Sequence, residues 1–295
     1  MGDPLEFLLR CNVSKESIEN AYEMYNEKYE RRTDKERFSK LKINVKEKNG
    51  LWRLWVLALF YQVVSEEASE RAFINLPKDS MVFEPRKIVE ITLDCGCSYL
   101  RNEHRVHFCT FQQLKGLSSC KQNLFYQKCP FHKLSNLSDF RHFGKPRILR
   151  GLISTAIFLK KYDFDFQKYY DSLISLNSSE MTSTMLDTFT IISGSEKISH
   201  MFLAWLSNPE HYDIWKLDYK RLLAIDRNII RVARNVGLCN TNNVNTIRAH
   251  LFKLVENIKV NPKVLELALL NIGQSYCKEE AQLCNECPWA NKFSF

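Results

Sequence analysis

Glycine and proline are scarce, with nine Gly and eight Pro in 295 residues. So few chain-breakers argue against a sheet-rich, turn-rich fold, and apolar residues recurring mostly at three and four read as a predominantly helical chain. No apolar run approaches the roughly 20 residues of a membrane span, so no membrane partner is expected. No self-similarity appears at periods of about 20 to 50 residues and no low-complexity tract, which excludes repeat arrays. The opening stretch, Met1 to Glu30, is charged and amphipathic and lacks the apolar core and small-residue cleavage site of a secretory signal. We therefore expect a reducing, intracellular setting, either cytoplasm or nucleoid, or the nucleus of a eukaryotic cell.

What is present is apolar bulk, positive charge and sulfur. A hydrophobic content of 45% over this length supplies a large core, in one domain or two closely packed lobes. Forty-two Lys and Arg against 34 Asp and Glu leave +8, a balance that favours polyanionic partners such as nucleic acid. In a reducing compartment the ten cysteines read as metal or cluster ligands rather than disulfides. In the segment Ile225 to Val236, residues Ile229, Val232, Ala233 and Val236 form one apolar stripe, with Arg227, Arg231 and Arg234 interleaved. Further helices are expected over Lys197 to Leu206, Thr246 to Ile258 and Pro262 to Ile272, and one or two over Leu51 to Phe73. The stretch from Met81 to His132 differs in texture. A β-like run, Lys87 to Leu93, precedes Cys95, Cys97, His104, His107, Cys109, Cys120, Cys129 and His132, and reads as an insertion with its own local order.

Two motifs near the C-terminus carry a resemblance. Cys277-x6-Cys284-x2-Cys287 follows an apolar helix and precedes Pro288 and Trp289; thiolates so spaced wrap a compact loop round one metal centre. About 50 residues upstream lies Ile225-Asp226-Arg227-Asn228-Ile229-Ile230-Arg231-Val232-Ala233-Arg234-Asn235-Val236-Gly237-Leu238. Asp226 there is a good N-cap, since its carboxylate accepts the free amides of a first helical turn. Together these resemble the helix-hairpin-helix DNA glycosylases of the endonuclease III and MutY kind. That family ends in a C-x6-C-x2-C-x5-C loop holding a [4Fe-4S] cluster and carries its catalytic aspartate at the mouth of a V/L-D-x-H/N-V-x-R-V-x-x-R-x-G-L helix. The fourth cysteine of the pattern would fall at Phe293, so a fourth ligand would have to come from elsewhere, such as Cys11 or Cys239.

The family hairpin, L-P-G-V-G-x-K-T/V-A, is matched only in part by Ile192-Ser193-Gly194-Ser195-Glu196-Lys197-Ile198. Glycines in such a turn let backbone amides approach a phosphate. Allowing a one-residue deletion, Lys197 takes the place of the Schiff-base lysine of bifunctional members; without it, Ile198 does and the enzyme is monofunctional. Gln62 ends an apolar helix where the family has a residue that fills the gap left by an extruded base. The residues about one turn earlier, Leu57, Ala58 and Leu59, include no glutamate of the MutY type, which speaks against adenine excision. In the insertion, Cys95, Cys97, His107 and Cys109 are soft donors of the type zinc prefers.

The resemblance implies a mainly α, two-lobed helix-hairpin-helix glycosylase fold with a Cys/His-rich insertion. The expected divisions are residues 1–80 as N-terminal helices packing with the C-terminal lobe, 81–140 as the insertion, 141–238 as the lobe with hairpin and aspartate, and 239–295 as the C-terminal helices and cysteine loop. It implies a monomeric base-excision enzyme acting on double-stranded DNA. Asp226 and Lys197 would be catalytic; Gln62, Gly194, Ser195, Arg227 and Arg231 would contact DNA; Cys277, Cys284 and Cys287 would hold an iron-sulfur cluster. A non-catalytic nucleic-acid-binding protein retaining the fold is the second reading. A metal-stabilised helical protein with no nucleic-acid role is the third.

Overall fold

The structure, a computed structural model, describes residues 13–28, 38–47, 49–61, 66–95, 97, 100, 103, 106, 129–135, 146–209, 211–278, 283 and 286–289. Its helices are α1 (Lys15–Lys28), α2 (Gly50–Phe60), α3 (Glu66–Ile74), α4 (Pro85–Asp94), α5 (Pro130–Ser135), α6 (Pro146–Leu159), α7 (Phe166–Asp171), α8 (Ser178–Ser193), α9 (Glu196–Ser207), α10 (Arg227–Asn235), α11 (Val244–Ile258) and α12 (Pro262–Ser275). Among the described residues there is no strand, and the mainly α expectation holds. Nor, among them, is any helix long and apolar enough to cross a membrane.

The chain divides into two compact units, a terminal one of Met1–Asp34 with Asp218–Phe295 and a central one of Lys35–Leu217. This departs from the divisions read along the sequence. Helices α2 and α3 belong with the hairpin helices, only α1 joins the C-terminal segment, and the Asp226 helix belongs with the C-terminal helices rather than with the hairpin.

The central unit is organised by α2, whose residues are buried on every side except at Arg53, as an all-round apolar helix must be. Trp55 is fully buried and edge-packs Phe166, Phe189 and Phe202, while its indole nitrogen donates to Thr155 on α6 at 2.9 Å. Arg53 lays its guanidinium over Phe83 at 4.0 Å, a cation–π contact that lets a cation sit among aromatics.

The run Lys87 to Leu93, read as β-like, is helical and lies within α4. Pro85 at the first helical position fixes the entry, and Ile88, Val89 and Thr92 bury one helical face. Packing of α4 on α6 overrides the local preference of its β-branched residues.

In the terminal unit, α1 packs along α12, and the core draws Ile18 and Ala21 from α1, Ile229, Val232 and Ala233 from α10, Leu251 from α11, and Leu265, Leu269 and Ile272 from α12. Two long-range bonds reinforce it. Asn271 donates to the Ala21 carbonyl at 2.9 Å, and the Trp289 indole donates to the Ser17 carbonyl at 2.9 Å. Gly273 lets α10 and α12 touch, since a Cβ there would lie 2.7 Å from the Asn228 Cβ and 3.1 Å from its carbonyl oxygen. Gly273→Ala should therefore force α10 and α12 apart and cost about 1–3 kcal/mol; a thermal melt matching the parent chain would contradict this packing.

Candidate functional site

The segment leading to α10 is buried from Leu222 through Ile225 and is tied down by a carboxylate. Glu266 accepts the Ala224 amide at 2.8 Å and is paired with Lys263 at 2.6 Å, both side chains being largely buried. From that anchored segment the chain turns at Asp226, which is the N-cap of α10 with extended backbone, and whose Oδ1 accepts the Ile229 amide at 3.0 Å. Asn228 Nδ2 approaches Oδ2 at 3.4 Å. Asp226 is partly exposed and Arg227 beside it is exposed, while Ile225 and Ile229 on either side are buried and fix the helix entry. The result is a carboxylate held in a set orientation at the positive end of a helix.

Arg231, expected against DNA phosphates, is turned into its own unit. Its guanidinium donates to Asn228 Oδ1 at 2.7 Å, to the Gly273 carbonyl at 2.8 Å, and to the Cys277 carbonyl. It clamps the end of α12 to α10. Asn235, one turn further along, donates to the Cys277 sulfur at 2.9 Å. Sequence reasoning missed Asn235, because only the packed structure brings it to the cysteine loop.

Cys277 and Cys287 are both partly buried and pack against the same core; Cys284 lies outside the described residues. Cys239, a candidate fourth ligand, is buried, donates to the Thr241 carbonyl at 3.8 Å, and has its thiol pushed up by burial. Cys11 lies outside the described residues. Among the described residues, no three His, Cys, Asp or Glu side chains gather as a group able to hold a metal.

In the central unit, α8 and α9 pack on one another and are joined by Gly194 and Ser195 alone. Gly194 is left-handed, at φ 68°, a conformation in which glycine is free of strain. The turn is knitted by hydroxyls: Ser195 caps α9 through the Ile198 amide, and Ser193 and Ser199 both donate to the Ser195 carbonyl, at 2.9 and 3.0 Å. The Gly194 amide donates to Thr190 and the Ser195 amide to the Ser193 hydroxyl, at 2.9 and 3.0 Å. These two amides, expected on a phosphate, are thus engaged within the hairpin. Ile198 is fully buried whereas Lys197 is partly exposed, so of the two registers only the one that includes the deletion presents a lysine to solvent.

Gln62, His107 and Cys109 lie outside the described residues. Cys95, at the end of α4, is buried; its sulfur accepts the Cys97 amide and the Cys129 thiol, and burial is the main cause pushing its own thiol up. The central unit also has a cleft of about 320 Å³, lined by Lys46, Trp52, Phe164, Asp165 and Gln167 among others, which no sequence motif announced.

Compared with family models, with curated proteins and with solved structures, the chain finds no match in any of the three. Its function has to be read from its own side chains. The cap geometry gives a first expectation: Asp226→Ala should cost about 0.5–2 kcal/mol of stability, whereas Asp226→Asn, which caps as well, should melt close to the parent. An Asp226→Ala variant that melts with the parent would show that this side chain does not hold the helix.

Proposed function

We propose that this chain is a base-excision DNA glycosylase of the helix-hairpin-helix kind, with Asp226 as its catalytic carboxylate. The observation that carries this reading is the setting of Asp226, partly exposed, orientation-locked by the Ile229 amide, and heading an amphipathic helix beside the exposed Arg227. The α8–α9 hairpin, with its two-residue turn, supports the same reading.

A base inside a duplex is out of reach, so the target nucleotide is rotated out of the stack at a cost of a few kcal/mol. As the N-glycosidic bond breaks, its electron pair leaves with the base and positive charge develops on the sugar. A fixed carboxylate stabilises that charge, and Asp226 supplies it. Water then adds to the anomeric carbon and loses a proton. Lys197 is proposed as the amine that, in a bifunctional enzyme, takes the place of water and forms a Schiff base, provided it is neutral when it attacks. Cys277, Cys284 and Cys287 are proposed to hold an iron-sulfur cluster whose role is structural, with Arg231 and Asn235 positioning Cys277 through its carbonyl and sulfur. Double-stranded DNA is the proposed partner, held largely by basic side chains and therefore in a salt-dependent way.

One observation favours the second reading, a nucleic-acid-binding protein without catalysis. The hairpin spends its Gly194 and Ser195 amides internally and carries an acidic residue, Glu196, in the first turn of α9.

Single-turnover assays on duplexes bearing uracil, 8-oxoguanine, thymine glycol, alkylated purines or mismatches distinguish the two. The parent chain should release one of these bases, and Asp226→Asn should lose at least about a hundredfold in rate while still binding duplex. Excision by Asp226→Asn at the parental rate would falsify the assignment of the carboxylate; binding to an abasic duplex with no excision by the parent would leave the second reading. For the lysine, borohydride should trap a covalent adduct with the parent chain and none with Lys197→Ala. Trapping that persists in Lys197→Ala would remove Lys197 from the reaction.

A further inference from the structure

The cleft of about 320 Å³ in the central unit lies at the lower end of the sizes that take small ligands. Its wall is drawn mainly from three stretches of chain: residues 45–47, the first turn of α2, and the corner that leads from the end of α6 into α7. Three aromatic residues, Trp52, Phe164 and Phe166, line it together with two carboxylates, Glu47 and Asp165, and one ammonium, Lys46. Trp52 and Phe166 are buried and stack at 6.2 Å, while Phe164 is partly exposed.

Phe164 is held at the cleft by an uncommon backbone. Asp163 and Phe164 are consecutive left-handed residues, at φ 55° and 63°, a conformation that costs a residue with a Cβ roughly 1–3 kcal/mol. Bonds on either side keep the corner in place. The Phe164 amide donates to the Leu159 carbonyl at 2.8 Å, and Asp163 is paired with Arg86 at 2.5 Å and with Lys168 at 3.1 Å. The Arg86 guanidinium also lies over the Phe164 ring, 4.9 Å from its centroid, so this ring already receives a cation.

The polar atoms left to a guest are chiefly acceptors. The Trp52 indole donates to the Val82 carbonyl at 2.7 Å, and the Gln167 side-chain carbonyl accepts the Trp215 indole at 2.9 Å, so both are engaged within the fold. Asp165 uses Oδ1 to cap α7 through the Gln167 amide at 2.8 Å, and its Oδ2 has no hydrogen-bond partner among the described residues. Neither Asp165 nor Glu47 has an ion-pair partner among them. Of the neighbouring cations, Arg86 and Lys168 share Asp163, and Arg53, close enough to Glu47 to feel its charge, lies over the Phe83 ring.

We propose that this cleft binds an organic ammonium group, with Trp52, Phe164 and Phe166 as its aromatic wall and Asp165 and Glu47 as its counter-charges. An alkylated ammonium suits such a wall because the ring quadrupole attracts positive charge without a hydrogen bond, and carboxylates beside the rings add Coulomb attraction. An anionic guest would meet two carboxylates against one lysine, and an inorganic cation would find no ligands in the rings. Lys46, exposed on a long arm, competes with the guest for the same carboxylates. All of these residues belong to the central unit, and the inference stands apart from the glycosylase reading.

The test is calorimetric titration of the full chain with choline, with its uncharged isostere, the dimethylbutanol in which carbon replaces the nitrogen, and with a peptide bearing trimethyllysine. The parent should bind choline saturably and roughly tenfold more tightly than the isostere. Choline and the peptide present the same headgroup from two sources, and the tighter binder names the source. Asp165→Asn, which still caps α7, and Phe164→Leu, which keeps the apolar bulk, should each weaken binding several-fold, and Lys46→Met should strengthen it. Saturable binding of neither ammonium probe would overturn the proposal, as would equal affinity for choline and the isostere. So would affinity unchanged in both Asp165→Asn and Phe164→Leu. The isostere comparison is made on the parent chain and decides the question even if a variant fails to fold.

Discussion

The guanidinium of Arg231 ties the end of α12 to the start of α10 in the terminal unit. It bonds the carbonyls of Gly273 and Cys277, where α12 ends, and the side chain of Asn228, in the first turn of α10. Helix ends leave carbonyls without intrahelical partners, and here a charged donor from a neighbouring helix satisfies them. Because Asn228 is two residues from Asp226, the arginine also fixes the helix turn that carries the carboxylate. Gly273 permits this closeness, since only a residue without Cβ fits against Asn228.

The central unit depends on a different constraint, the burial of large aromatic rings around α2. Trp55 sits among Phe166, Phe189 and Phe202, which belong to three other helices, α7, α8 and α9. The hairpin helices are thereby anchored to the aromatic core of their unit through Phe189 and Phe202. Its turn, closed by Ser193, Ser195 and Ser199, is held by hydroxyls where the family pattern would place glycines.

Much of the helical architecture was legible because it is local. The stripe of Ile229, Val232 and Ala233 is buried as its spacing demands, and Asp226 caps its helix as an aspartate before an apolar period should. What escaped the sequence was decided by distant partners. Arg227 and Arg231 look equivalent on paper, yet one is exposed and the other is drawn inward by the carbonyls of α12. The Lys87 to Leu93 run is rich enough in β-branched residues to read as β-like, but α6 offers it a helical seat. Cys129 becomes a neighbour of Cys95 only once both helices are packed, and no count along the chain foretells that. The division into units follows the same logic, for α1 is separated from α12 by the whole central unit in sequence but packs along it in space.

The bond from the Trp289 indole to the Ser17 carbonyl has a consequence for biogenesis. Residues 35–217 are continuous and can condense as soon as they emerge from the ribosome, in the order they are made. Helix α1 emerges before that unit but must wait, its apolar face uncovered, until α12 and Trp289 have been synthesised. A helix translated before the central unit is thus seated only after it, and the interval is set by the translation time of the segment between.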